Sequence, residues 1–198
     1  MKYLLLFILL FPVCLPATGQ TYRDSMLDFR NNYLSELLTE KGGPLKAAQV
    51  KNVGFFAADK NYRVWADFKE TPGAVPFMLH THSGKSKPYK EYGVLKFTIH
   101  DTLLSLHIYQ STDMLKDAQY KDNLFLPFKD MTNYEATYGG GRYIDLKVAD
   151  VKNGRVLLDF NKAYNPYCAY VDGYSCPIPP EENKLQIEIP AGEKTYIP

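Results

Sequence analysis

The chain has 198 residues, of which 45% are hydrophobic and 23% charged, and its 23 basic side chains nearly balance its 22 acidic ones. A net charge this close to zero provides no electrostatic attraction to nucleic acid or to an anionic membrane surface, so neither is expected as a partner. The length fits one domain with a sizeable hydrophobic core.

The first 19 residues have the pattern of a secretory signal peptide. Lys2 supplies the positive end, residues 3–11 form an apolar run, and residues 17–19 offer the small side chains of a cleavage site after Gly19. The apolar run is too short to cross a bilayer, which takes about 20 residues, so no membrane span is expected after the leader is removed. Cys14 lacks the small preceding residue of a lipoprotein anchor, and we assign it to the leader. The mature chain, residues 20–198, is therefore expected to be a single periplasmic or secreted domain.

Apolar periodicity in the mature chain predicts one helix followed by a series of strands. Residues 22–40 repeat apolar side chains at helical steps, and the glycines and proline of the stretch KGGP at 41–44 end the helix. After residue 50 the period changes to two, which is typical of strands. Strands are expected at residues 62–68, 75–80, 92–99, 103–109, 124–128, 143–148, 155–160 and 185–189. This order predicts a mainly β fold, an antiparallel β-sandwich or a barrel-like sheet with one N-terminal α-helix.

Three successive glycines stand before an arginine in the stretch TYGGGRYID, residues 137–145. The backbone N–H groups of Gly139, Gly140 and Gly141 could form an anion-binding nest, with Arg142 beside it to clamp a carboxylate or phosphate. The alternative is a glycine kink that lets the sheet bend. The second, structural role is favoured for the glycines.

Arg142 admits two roles. It shares a strand face with Ile144 and Leu146, and a guanidinium on a core face must be paired, because an isolated buried charge costs several kcal/mol. A structural ion pair is therefore as compatible with the sequence as a ligand clamp. The candidate partners are Asp130, Asp159, Glu181 and Glu182.

The stretch FNKAYNPYCAYVDGYSCPIPP, residues 160–180, contains Cys168 and Cys176. A nucleophilic cysteine would need a base, and none of the four histidines lies in a recognisable partner motif. The spacing of the cysteines also lacks the two-residue steps of zinc ribbons. In the oxidising compartment that the leader predicts, a disulfide between them is favoured, and a free thiol is the alternative.

The histidines give a weak signal for metal. His80 and His82 would share one strand face, but a zinc site needs at least a third protein ligand, which the sequence does not supply. We therefore expect surface histidines, no metal and no other cofactor.

Three longer stretches resemble the DUF1684 family of bacterial proteins of unknown function. They are LFLPFKDMTNYEATYGGGRYIDL, LDFNKAYNPYCAYVDGYSCPIPPEENKL and IPAGEK, and the resemblance is densest from residue 124 to 194. The resemblance implies no activity and no catalytic or metal-binding residue. Besides the glycines, Arg142 and the cysteines, the positions that match the family pattern include Asp130, Thr132, Asp145, Asn161, Tyr164, Asn165 and Tyr167. Tyr134 stands where the family pattern has glycine, which predicts a differently built turn.

We expect the two motif stretches to meet at one end of the sheet and to bind a small polar or anionic ligand, such as a saccharide or a carboxylate. The expected ligand-binding residues are Asp130, Thr132, Gly139, Gly140, Gly141, Arg142, Asn161, Tyr164, Asn165 and Tyr167. Two other classes stay open. One is a hydrolase that uses Asp130, Asp145 or Asp159 near Arg142, and the other is a structural envelope protein without a ligand site. The sequence predicts neither the oligomeric state nor a catalytic residue.

Overall fold

The computed structural model describes residues 21–198. The leader, its cleavage site and Cys14 lie outside the described residues, so the signal peptide stays a prediction. Within residues 21–198, no helix is long and apolar enough to cross a membrane.

The longest helix opens the described chain. Helix α1 spans Tyr22–Glu36 and begins with a capping box, in which Thr21 and Asp24 each accept a hydrogen bond from the backbone of the other. The predicted helix ran to residue 40, but it ends earlier because the chain turns back: the N–H of Leu45 donates to the carbonyl of Leu37 at 2.9 Å. A second helix, α2, is a single turn at Ala47–Val50.

Seven antiparallel strands form one sheet that curls into half a barrel. The strands are β1 (Arg63–Glu70), β2 (Phe77–His80), β3 (Ser86–Ile99), β4 (Thr102–Ser111), β5 (Asn123–Phe128), β6 (Arg142–Lys147) and β7 (Arg155–Asp159). Their order is β6-β5-β4-β3-β1-β7, and β2 pairs with the first part of β3. The predicted mainly β class, with one N-terminal helix of appreciable length, is confirmed, and the sheet is of the barrel-like kind.

The strand predicted at residues 185–189 is wrong. Leu185 and Ile189 are buried, as their alternation in the sequence predicts. The backbone of this segment, however, bonds to the irregular loop after β5: the N–H of Leu185 donates to the carbonyl of Lys129 at 2.8 Å, and the N–H of Met131 donates to that of Ile187 at 2.9 Å. Two irregular segments pair here without forming a ladder.

The two faces of the sheet carry different side chains. One face packs the main hydrophobic core, which includes Leu95, Phe97, Leu106, Leu124, Leu126, Val156, Leu158 and Phe160. The other face carries a smaller aromatic cluster on β2 to β6, formed by Phe77, Leu79, Tyr89, Tyr109, Phe125 and Tyr143. In the strand register, Phe125 lies opposite Asp145, so that an acidic side chain stands beside the cluster.

Residues 176–178 extend the sheet along the outer edge of β2. The N–H of His82 donates to the carbonyl of Cys176 at 3.0 Å, and the N–H of Ile178 donates to that of His80 at 2.8 Å. The C-terminal part of the cysteine-containing stretch is thereby held next to the aromatic cluster.

Tyr164 makes the equivalent contact at the edge of β6. Its N–H and carbonyl exchange hydrogen bonds of 3.0 and 2.9 Å with Tyr143. The predicted disulfide between Cys168 and Cys176 is confirmed and links the chain after Tyr164 to the segment on β2. The hydroxyl of Tyr143 also donates to the carbonyl of Pro177, so the two motif stretches contact each other at Tyr164 and at Pro177.

Candidate functional site

Arg142 lies entirely inside the protein. Its Nη2 donates to Asp130 Oδ2 at 2.7 Å, and both side chains have 0% exposure. The same nitrogen donates to the carbonyl of Ile189 at 2.9 Å, and Nη1 donates to the carbonyls of Ala191 and Glu193. Arg142 therefore forms the structural ion pair, one of the two roles open to it, and ties the C-terminal segment to β6.

Asp130 and Thr132 belong to the same interior network. Asp130 Oδ1 accepts a hydrogen bond from the N–H of Thr132 at 2.9 Å, and the hydroxyl groups of Thr132 and Thr137 lie 2.8 Å apart. All three residues are buried. Their hydrogen bonds shape the loop between β5 and β6.

The three glycines are covered by side chains. A Cβ at Gly139 would lie 2.3 Å from the ring of Tyr134, and one at Gly140 would lie 2.2 Å from the ring of Tyr138. Gly141 has a φ of 92°, which a residue with a Cβ adopts only with strain. Tyr134 itself has a φ of 72°, so the position at which the chain departs from the family pattern is one that suits glycine.

Asn161 and Asn165 also bond to the protein backbone. Asn161 exchanges hydrogen bonds of 2.8 and 2.9 Å with the backbone of Asp59. The Nδ2 of Asn165 donates to the carbonyl of Lys194 at 2.8 Å. Both asparagines connect the motif stretch to segments distant in sequence.

Glu193 is a buried carboxyl that sequence reasoning missed. It accepts hydrogen bonds from the hydroxyl of Tyr33 at 2.9 Å, the hydroxyl of Tyr170 at 2.6 Å and the N–H of Asn165 at 2.8 Å. Burial raises the pKa of Glu193, and these hydrogen bonds oppose the rise. The network joins α1, the disulfide loop and the C-terminal segment. Glu193 lies in the stretch IPAGEK, which carries part of the family resemblance, but the resemblance assigns no role to this glutamate.

Tyr164 connects the motif stretch to a solvent-exposed acid. Its hydroxyl donates to Asp145 Oδ2 at 2.9 Å. Its ring packs against Tyr143 and against Tyr33 of α1, at centroid distances of 5.8 and 5.7 Å. Asp145 itself is exposed on the sheet face that carries the aromatic cluster.

Asp145 is exposed to solvent, but the surrounding protein disfavours its charged form. Desolvation raises the pKa of Asp145, against the hydrogen bond from Tyr164 and the charge of Lys147. Burial and the nearby Asp145 charge raise the pKa of Tyr89 to about 12. Tyr89 is only 7% exposed. We call Asp145 and the residues next to it the Asp145 site: Asp145, Tyr164, Tyr143, Tyr89 and Phe125.

The other sequence-predicted residues lie outside the Asp145 site. The ring of Tyr167 packs on Tyr174 in the disulfide loop, with centroids 5.1 Å apart. His80 contacts Ser86 Oγ through Nδ1 at 3.1 Å, whereas the ring of His82 packs on Tyr138. In the part of the chain that the structure describes, no group of three or more His, Cys, Asp or Glu residues could hold a metal ion.

The three carboxylates considered for hydrolysis differ in access. Asp130 is enclosed with Arg142. Asp159 is 5% exposed and accepts a hydrogen bond from the hydroxyl of Tyr22 at 3.0 Å. Asp145 combines solvent access with a raised pKa.

Comparisons with known proteins identify relatives without an established activity. The family described as "Protein of unknown function (DUF1684)" matches residues 48–194. The chain is also similar to the solution NMR structure of the uncharacterized protein from gene locus rrnAC0354 of Haloarcula marismortui, with 30% sequence identity and a TM-score of 0.67. That similarity covers 86% of this chain and 92% of the other. No curated protein matches the chain.

Proposed function

Because the chain belongs to the DUF1684 family of proteins of unknown function, we propose a function from the geometry of its exposed polar groups. The protein binds a small hydroxyl-rich ligand, of which a saccharide is the best example, at the Asp145 site. The observation that carries the proposal is that Asp145 is open to solvent, accepts a hydrogen bond from the hydroxyl of Tyr164 at 2.9 Å and lies opposite Phe125 in the sheet.

The side chains of the site match what a saccharide needs. A carboxylate accepts hydrogen bonds from sugar hydroxyls, and a tyrosine hydroxyl such as that of Tyr89 can donate or accept one. Aromatic rings offer an apolar surface to the C–H groups of a sugar ring, and Tyr164 and Phe125 supply such rings next to Asp145. Ligand sites in proteins combine an apolar lining with a few such polar groups.

A carboxylate ligand fits the site less well than a neutral one. Glu36, at the end of α1, is close enough for its charge to raise the pKa of Asp145. An anion would therefore meet two acidic side chains, which the nearby Lys147 offsets only in part, and the positive charge of Arg142 is already enclosed with Asp130. Between the two ligand classes expected from the sequence, we propose the saccharide.

The remaining residues of the expected ligand site are proposed to support it. Asp130, Thr132, Gly139, Gly140, Gly141, Arg142, Asn161 and Asn165 hold the two motif stretches in place through internal contacts, whereas Tyr164 contacts the ligand and Tyr167 stabilises the adjacent loop.

The test is an NMR titration of the mature protein with N-acetylglucosamine, glucose and galactose, and with acetate and citrate as anionic probes. We expect at least one sugar to shift the amide resonances of residues 143–145 and Tyr164, and the anions to leave them unchanged. Asp145→Asn should weaken sugar binding roughly tenfold or more, because a hydrogen bond to a charged group contributes about 1.5–3 kcal/mol.

Asp67→Asn is the matched control, because Asp67 is an exposed strand acid whose side chain is 83% accessible. It should leave sugar binding unchanged. The proposal fails if none of the three sugars shifts these resonances, or if Asp145→Asn binds the sugar as tightly as the natural protein does.

Glycoside hydrolysis is the second candidate, and the raised pKa of Asp145 favours it over the other carboxylates considered. A general acid must hold its proton near the working pH, which a desolvated carboxyl does more readily than a free one. In this case 4-nitrophenyl glycosides would release 4-nitrophenol in the presence of the protein, and Asp145→Asn would abolish the release. A protein that neither binds nor cleaves sugars would instead be a structural envelope protein.

We further propose an extracytoplasmic location, on the strength of the leader pattern in residues 1–19. Expression of the full chain in a bacterial host, followed by fractionation and intact-mass measurement, tests this proposal. The expected product is a periplasmic or secreted chain that begins at Gln20. A cytoplasmic chain that keeps its first 19 residues would contradict it.

A further inference from the structure

A groove runs along the first half of α1 and is separate from the Asp145 site. Its lining residues are Arg23, Met26, Leu27 and Arg30 from α1, with Ala57 and Ala58 opposite. Its volume is about 350 Å³, which lies at the lower end of the range, roughly 300–1,000 Å³, of cavities that bind small molecules.

The helix presents an apolar strip between two arginines to this groove. Positions 23, 26, 27 and 30 follow one another at three- and four-residue steps and therefore lie on one helix face. Arg23 and Arg30 are two turns apart, about 10 Å along the axis. Leu27, which lies between them, is 50% exposed, although the same helix buries Met26 almost fully. Ala57 and Ala58 are small and leave the groove open on the opposite side.

Arg30 carries a positive charge without a close ion-pair partner among residues 21–198, although the charge of Asp159 acts on it from farther away. Its Nη2 donates to the carbonyl of Phe56 at 2.9 Å, and its guanidinium lies 4.8 Å from the ring centroid of Phe55. Its Nε is buried without a hydrogen-bond partner, and the ion pairs formed within residues 21–198 do not include Arg30. Burial lowers the pKa of the Arg30 guanidinium, which means that its surroundings disfavour the charged form.

We infer that the groove binds a single-chain anionic amphiphile, of the class of a medium-chain carboxylate. The carboxylate accepts hydrogen bonds from the Arg30 guanidinium, and the alkyl chain lies against Met26, Leu27, Ala57 and Ala58. The ligand offsets the desolvation of Arg30 and covers the exposed part of Leu27, so one molecule relieves both unfavourable features.

Decanoate is the probe, and titration of the isotopically labelled mature protein is the measurement. We expect decanoate to shift the amide resonances of residues 23–30 and 57–58 at saturation. Decyltrimethylammonium, which has the same chain length and the opposite charge, should bind at least tenfold more weakly, because it cannot bond to Arg30.

Two variants separate the head group from the chain. Arg30→Gln should lower the affinity for decanoate roughly tenfold and remove the preference over decyltrimethylammonium. Ala57→Phe should occlude the groove and abolish the shifts without touching the guanidinium. Arg155→Gln is the matched control, because Arg155 is a partly exposed arginine of β7, and it should leave decanoate binding unchanged.

Several results would overturn the inference. Equal binding of the anionic and cationic amphiphiles would show that Arg30 selects no charge. Shifts confined to other residues would place the ligand elsewhere. Binding to vesicles of phosphatidylglycerol without any binding of free decanoate would make this helix face a membrane contact and not a ligand site.

Discussion

Arg142 and Asp145 stand three positions apart on strand β6, and Arg142 is buried whereas Asp145 is exposed. Because strand side chains alternate between faces, Arg142 points into the main core and Asp145 to the other side of the sheet. Arg142 is enclosed, with Asp130 as its charged partner. Asp145 is exposed, and the hydroxyl of Tyr164 is its hydrogen-bond partner. Arg142, which stands out in the sequence motif, therefore stabilises the protein interior, whereas Asp145 remains accessible to a ligand.

The difference between the two regions follows from what burial demands. Both terminal nitrogens of Arg142 donate within the protein and its Nε is buried without a partner, so none of its donors is accessible to a ligand. A charge at the surface keeps access to solvent and can still exchange its hydrogen bonds with water or with another molecule. We therefore expect variants of the first region to affect stability and variants of the second to affect binding.

Arg142→Met should give the largest loss of stability. It leaves Asp130 buried without a counter-charge, which typically costs about 3–5 kcal/mol of unfolding free energy. Urea denaturation followed by circular dichroism measures the loss. Arg155→Met is the control, because Arg155 forms a surface ion pair with Asp67 at 3.6 Å, and its loss should cost less than about 1 kcal/mol.

Arg142→Met combined with Asp130→Leu should recover part of that loss, because the double variant leaves no unpaired buried charge. If Arg142→Met were no more harmful than Arg155→Met, Arg142 would not be structural, and the ligand-clamp role would become the better explanation for this arginine.

Removal of the disulfide should have the next largest effect. Replacement of Cys168 and Cys176 by serine opens a nine-residue loop, which costs about 2–3 kcal/mol in the chain-entropy model. Amide hydrogen exchange distinguishes the loop from the sheet. The amide of Tyr164 should lose protection from exchange, whereas the amides of Ile144 and Leu146 on β6 should keep it. Uniform loss of protection across both regions would contradict a local role for the disulfide.

Glu193→Gln should change the pH dependence of stability. The folded pKa of Glu193 is raised above its unfolded value, so its contribution is fully present below about pH 4.3 and is lost as the pH rises through the folded pKa. The glutamine variant should therefore show a flatter decline of unfolding free energy as the pH rises from 4 towards neutral. Parallel pH profiles for the two proteins would show that Glu193 does not titrate in this window.

Asp145→Asn should have the smallest effect on stability. Desolvation disfavours the charged form of Asp145 in the folded state, so loss of the charge at pH 7 should leave the unfolding free energy unchanged or slightly higher, within about 1 kcal/mol. The same variant is the one expected to lose sugar binding. A loss of stability comparable to that of Arg142→Met would place Asp145 in the structural framework.

Local sequence patterns predicted the strands of the sheet well, but they did not predict the irregular segments that pack against it. The alternation of Leu95, Phe97 and Ile99 specifies one buried face of β3, and the structure buries all three side chains. The same alternation at Leu185 and Ile189 was misleading, because burial alone does not show whether a segment pairs with a strand or with a loop. Asp130 was among the four acids considered as partners of Arg142, but the choice between them depends on how the chain folds back.

The candidate site was predictable only in part for the same reason. Tyr164 came from the motif stretch, and Asp145 was considered as a catalytic acid. Tyr89 and Tyr33, however, lie far from these residues in sequence and gave no signal that they would approach them. The role of Glu193 depends on contacts with α1 and with the disulfide loop, and no local pattern encodes contacts between distant segments.

By itself the sequence determined the mainly β class, the N-terminal helix, the disulfide and the face of β6 on which Arg142 lies, because periodicity and side-chain chemistry act over short distances. The tertiary structure alone decided that Asp130 is the partner of Arg142, that Glu193 joins three segments, and that Asp145 stands accessible among aromatic rings. Those outcomes depend on which residues, distant in sequence, come together in space. The free energy of a charged side chain is set by how far it is removed from water and by the charges and hydrogen bonds around it.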